Sequence, residues 1–104
     1  MMVLKLGELI GKYCSQRQNG PERKGGEFIR DLIIKNWSKE DNIEISFEGV
    51  EIATPSFVDE SIGKLIHNYS LQQLQNKLLF ANINDDIKDK INKSIELRLQ
   101  QKQK

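Results

Sequence analysis

The sequence predicts an α/β fold, a small mixed and mostly parallel sheet of three or four strands packed with helices. Three observations point there. Residues 43–48 alternate, with Ile43, Ile45 and Phe47 apolar and Glu44, Ser46 and Glu48 polar, the period of a half-buried strand. Thr54-Pro55 then opens a helix in which Val58, Ile62, Leu65, Ile66 and Tyr69 recur at helical spacing. Strands alternate with such helices along the whole chain, the pattern of crossover-linked parallel strands with helices mainly on one face.

Taken in order, residues 3–6 form a short first strand, broken by Gly7. Residues 8–14 are either one helical turn or a second extended piece, since Gly11 disfavours a long helix. Residues 15–26 are a polar loop holding Asn19-Gly20-Pro21 and Gly25-Gly26. Glu22 or Gly26 opens a helix to about Trp37, with Phe28, Ile29, Leu32, Ile33 and Trp37 on its apolar face.

Residues 38–42 are a loop, and the strand at 43–47 follows. Gly49 offers a turn position free of Cβ sterics. A polar hinge leads to Thr54, a good N-cap, and Pro55, which loses nothing at the first helical position. That helix is expected to end near Tyr69-Ser70, and the Gln-rich stretch 70–77 reads as linker or helix end. The apolar run 77–82 suits a buried strand. Asn84 or Asp85 caps the last helix, with Asp85 and Asp86 placed favourably for its dipole. Ile87, Ile91, Ile95 and Leu99 make its stripe, with Leu97 to Leu99 the end that would meet a second chain; residues 99–104 are expected to fray.

At 104 residues the chain is read as one domain, residues 1–104, with a modest core. A net charge of +1 argues against wholesale nucleic-acid binding. Cys14 is the only cysteine, which suits a reducing compartment. No apolar run approaches a membrane span, and the opening residues, interrupted by Lys5 and Glu8, are too short for a signal peptide. A cytoplasmic protein is the expectation.

No catalytic motif, metal site or cofactor motif is visible. His67 is the only histidine, and Cys14 is too remote in sequence to form a local motif with it. Thr54 and Ser56 flank Pro55 at a helix start, where a hydroxyl either caps the helix or accepts a phosphate. Asp59 and Glu60, if exposed, form an acidic patch for a basic partner; otherwise they serve the helix dipole. Arg17, Arg23 and Lys24 lie on the Gly-punctuated loop, either solvated or holding a phosphate or acidic group; the spacing of a P-loop is absent.

The junction Ile45 to Val50, with Thr54 to Glu60 and Gly63-Lys64-Leu65, resembles the STAS fold of sulfate transporters and anti-sigma factor antagonists. It is closer to the bacterial family of STAS-like domains of unknown function. Arg17 to Gly20 with Arg23, and Leu79 to Asn84 running into the helix that carries Arg98, fall in matching order. The resemblance implies an α/β regulatory domain without catalytic activity, docking a protein partner through the helix that starts at Thr54. That partner would be a histidine-kinase-like ATPase or an anti-sigma-like factor, met by Asp59, Glu60 and Lys64.

In the antagonists, a serine or threonine at this junction is phosphorylated. Aligned by residues 62–66, this chain has Val58-Asp59-Glu60-Ser61 there; aligned by the turn, Thr54 and Ser56 fall close to the position. The alternative is a nucleotide- or nucleic-acid-binding module using Arg17, Arg23, Lys24 and Arg30, whose affinity would fall steeply with salt.

Overall fold

The computed structural model describes residues 1–102. Its strands are β1 (Met2–Lys5), β2 (Tyr13–Cys14), β3 (Ile43–Ser46), β4 (Ile52–Ala53) and β5 (Leu78–Ala81). Its α-helices are α1 (Leu6–Leu9), α2 (Gly26–Asn36), α3 (Pro55–Ser61), α4 (Leu71–Lys77) and α5 (Asp85–Lys102), with a 3-10 helix at Gly63–His67.

The main sheet has the order β1-β3-β5 and both of its pairings are parallel. Val3 sits opposite Glu44, and Glu44 opposite Leu79. Leu4, Ile43, Ile45 and Leu78 are buried, whereas Val3 and Leu79 are exposed. One face of the sheet therefore carries the core, and the other meets solvent. The expected mostly parallel sheet is borne out: every pairing among the described residues is parallel, with β2 and β4 paired in a separate two-stranded ladder. β4 lies inside the stretch that reads as a polar hinge, because two residues are too few to show a period.

Gly49, at φ 80°, turns the chain after β3, a conformation that a Cβ would disfavour. Asn82 takes the equivalent left-handed position after β5, at φ 55°, and its Nδ2 donates to Ser46 Oγ at 3.1 Å. The two strand ends are thus tied side by side.

Two predicted elements differ. The helix from Thr54 does not run to Ser70. It breaks at Ile62 and tightens into the 3-10 turn at Gly63–His67, which keeps Leu65 and Ile66 in the core. The stretch 70–77 is no linker. Ser70 Oγ accepts from Gln73 N at 3.1 Å and Gln73 Oε1 accepts from Ser70 N at 2.8 Å, a reciprocal cap that starts α4.

α2 buries Ile29 and Ile33, and Trp37 beyond its end stacks on Tyr69 with ring centroids 3.6 Å apart. α5 buries Ile87 and Ile91, with Ile95 and Leu99 partly buried against the same core. Asn84 caps it, accepting from Ile87 N at 2.8 Å. α5 continues to Lys102, which donates to Ile66 O at 2.9 Å; residues 103 and 104 of the expected frayed tail lie outside the described residues.

Candidate functional site

The start of α3 is fixed from two sides. Thr54 Oγ1 accepts from Phe57 N at 3.2 Å and donates to Ser15 O at 3.1 Å. Its amide donates to Cys14 O at 2.9 Å. Thr54 is an N-cap that also anchors the loop leaving β2.

That loop, in turn, satisfies the start of α2. Gly26 N donates to Gln16 O at 2.8 Å and Glu27 N to Arg17 O at 2.9 Å, so amides without a helical partner find loop carbonyls. Asn19 Oδ1 accepts from Gly25 N at 3.0 Å. The same bonds fix the backbone of Arg17.

Arg17 is engaged by two carboxylates of the chain itself. Its Nη1 lies 2.8 Å from Asp59 Oδ2 and 3.4 Å from Glu60 Oε1. Asp59 also accepts from Arg98 Nε at 2.9 Å and from Ser94 Oγ at 2.8 Å, and Arg98 Nη2 reaches its second oxygen. Glu60 accepts from Arg30 Nη1 and, at 3.0 Å, from Lys64 Nζ; Arg30 Nη1 also donates to Glu60 O at 2.9 Å.

The exposed acidic patch is therefore corrected. The Asp59 side chain is 16% exposed and that of Glu60 only 5%. Two adjacent carboxylates are neutralised by three arginines and a lysine drawn from four segments of the chain. Lys64, expected to face a partner, lies across Glu60 one helical turn away. Arg98 pulls Asp59 well below the usual carboxylate range, burial opposes this, and Arg17 and Ser94 add to it. Burial would push Glu60 up, but hydrogen bonds from Arg30 and Lys64 outweigh it and hold that carboxyl low. The same contacts with Asp59 raise the Arg17 and Arg98 guanidinium pKa values.

Gly63 makes the cluster geometrically feasible. A Cβ there would stand 1.9 Å from Ser94 Oγ and 2.8 Å from Asp59 Oδ1. Only a residue without a side chain lets α5 come close enough for Ser94 and Arg98 to reach α3.

Ser56 lies one turn before Asp59 and is exposed. It lines a groove of about 600 Å³ between α3 and α5, together with Arg17, Pro55, Lys93, Leu97 and Arg98. Leu97 is 59% exposed there. Lys90 is engaged by Asp86 at 2.7 Å and by Ala53 O at 2.9 Å, whereas Lys93 has no ion pair among the described residues.

The other expected residues scatter. Lys24 Nζ sits 5.1 Å over the Phe28 ring, and Arg23 borders a separate small hollow with Gln16 and Glu22. Arg17 lines the α3–α5 groove, Arg23 the small hollow, and Lys24 borders neither. Cys14 is buried, and burial pushes its thiol up to about 11, so it is a core thiol. His67 is exposed and faces Arg98 at 3.4 Å. Among the described residues no group of three His, Cys, Asp or Glu side chains is arranged to hold a metal, and no helix is long and apolar enough to cross a membrane.

The sequence profile of the STAS-like domain of unknown function matches residues 25–88, more than half of the chain. The chain belongs to this family. The span covers α2 through the start of α5, and so holds Arg30, Thr54, Ser56, Asp59, Glu60 and Lys64. Arg17, Ser94 and Arg98 lie outside it: the STAS-like segment supplies the carboxylates, and its flanks supply much of what neutralises them. Comparisons with curated proteins and with solved structures returned no match.

Ser94 as a partner of Asp59 is absent from the sequence reading, as is Arg30 as a partner of Glu60. Only the Glu60–Lys64 pair carries a local signal, the i,i+4 spacing on a helix.

Proposed function

We propose that this STAS-like domain is a non-enzymatic regulatory module that docks a protein partner across the groove between α3 and α5, with Ser56 as the phosphorylated residue. One observation carries the choice of residue. Of the hydroxyls of Thr54, Ser56, Ser61 and Ser94, on α3, its cap and the facing turn of α5, that of Ser56 alone is exposed and free of hydrogen bonds among the described residues. Thr54 is consumed as a cap, Ser61 donates to Phe57 O at 2.8 Å, and Ser94 donates to Asp59. These bonds favour Ser56 over Thr54 as the phosphoacceptor in this reading.

Because Asp59 and Glu60 are neutralised internally, they support the docking surface from beneath. The surface itself includes Pro55, Ser56, Lys93 and Leu97, with Asp86 and Asp89 also along the groove. An exposed apolar side chain ringed by polar ones is the usual anatomy of a small protein contact. A phosphate on Ser56 adds about −1.5 to −2 charges beside Leu97, so it would have to be desolvated or excluded when a partner seats there. The partner class follows the family resemblance: a histidine-kinase-like ATPase or an anti-sigma-like factor in a reducing, cytoplasmic setting.

The test is to incubate the domain with such an ATPase and ATP, then locate the phosphate by mass spectrometry. Calorimetric titration of that partner into wild-type and Ser56→Glu protein completes it. Phosphate on Ser56, with at least tenfold weaker binding by Ser56→Glu, supports the reading. Binding that is unchanged by Ser56→Glu, Lys93→Glu and Leu97→Ala contradicts it.

The nucleic-acid alternative gains no support from the geometry. Two of its four cations, Arg17 and Arg30, are held by carboxylates.

A further inference from the structure

A second groove, of about 570 Å³, runs along the opposite flank of α5, between that helix, α4 and β5. Leu71, Leu74, Phe80, Ile83, Ile95 and Leu99 give it an apolar lining. β5 is an edge strand of the main sheet, so the groove adjoins a free strand edge, a feature that proteins generally cover. Leu71 is exposed at its mouth, and Ile95 and Leu99 are only partly buried.

The polar residues on the α5 side are Lys88, Asn92 and Glu96, all exposed and spaced four apart on one helical face. Neither Lys88 nor Glu96 has an ion pair among the described residues. They stand symmetrically about Asn92, with opposite charges. A second α5 laid antiparallel, with a two-fold axis at Asn92, sets Lys88 of each copy against Glu96 of the other. A parallel arrangement would set like against like. The same antiparallel placement brings Leu99 of each copy to the Ile83 end of the other's groove. Self-complementarity of this kind is what an isologous two-fold interface requires. A net charge of +1 per chain leaves little repulsion between copies.

We propose that a second copy of this chain occupies this groove, with the two α5 helices crossing antiparallel at Asn92. The surface is separate from the Ser56 groove on the other flank, so the proposal stands or falls independently of the phosphorylation reading.

Sedimentation velocity over a wide concentration range tests it. The wild-type chain is expected to form a dimer that dissociates on dilution. Lys88→Glu alone, and Glu96→Lys alone, each raise the dissociation constant at least tenfold. The double variant, with both charges exchanged, restores the wild-type value. Both positions are exposed, and far-UV circular dichroism checks that each variant folds. A wild-type monomer at the highest concentration overturns the proposal. A dimer indifferent to the single substitutions, or not rescued by the double one, does so as well.

Discussion

Arg98 grips Asp59 by both carboxylate oxygens: Nε meets Oδ1 at 2.9 Å and Nη2 meets Oδ2, across 39 residues of sequence. Planar, two-point recognition of this type is stronger and more directional than a lysine contact. It fixes α5 against the helix that presents Ser56, and so fixes both walls of the proposed docking groove.

Removing that carboxylate leaves the Arg98 guanidinium and Ser94 without their partner. Asp59→Ala is expected to lower stability by about 3 kcal/mol, the scale for breaking a largely buried pair. Urea denaturation followed by the fluorescence of Trp37, the only tryptophan, measures it. Charge reversal at Asp59 should unfold the domain rather than merely alter a surface.

Acid sensitivity follows from the same residue. The folded-state pKa of Asp59 lies below its unfolded value of about 3.9, so folding favours the ionised form. Its contribution is fully present above the unfolded pKa and is lost as pH falls below about 4 toward the folded value. Thermal melts from pH 7 downward should show this decline, and Asp59→Asn should be less stable at pH 7 with a shallower acid loss.

Gly63→Ala probes the close approach of α5. The added methyl would overlap Ser94 Oγ at 1.9 Å. A loss of about 2 kcal/mol is expected, within the range for overpacking. Ser94→Ala in the same chain should recover part of it, so the two substitutions should be non-additive in a double-mutant cycle.

Ser70→Ala removes one half of the reciprocal cap on α4. The expected cost is about 1 kcal/mol, typical for an N-cap serine. Amide exchange should report it first at Gln73, whose N–H loses its acceptor.

Much of the fold is legible where the signal is local. The alternation at 43–47, the Thr54 cap and the Ile stripe of α5 each specify an element through neighbouring residues. The Ser70–Gln73 cap was equally local but is hidden by a polar, Gln-rich composition. β4 is too short to carry a period, and the break at Ile62 is followed by Gly63, whose close approach to Ser94 of a distant helix has no local signal. The candidate site was legible only in part for the same reason. Ser56 and Thr54 stand at a visible helix start, but which hydroxyl is free depends on Ser15, Phe57 and Asp59. Likewise, Asp59 and Glu60 look like a surface patch until Arg17, Arg30 and Arg98 arrive from far along the chain.

The central claim is that Ser56 governs docking at the α3–α5 groove. The most direct measurement is the affinity of a purified histidine-kinase-like ATPase, the proposed partner class, for the unmodified and the Ser56-phosphorylated domain. An affinity drop of at least tenfold on phosphorylation, with an unchanged melting temperature, is the predicted result. Equal affinities for the two forms would contradict it.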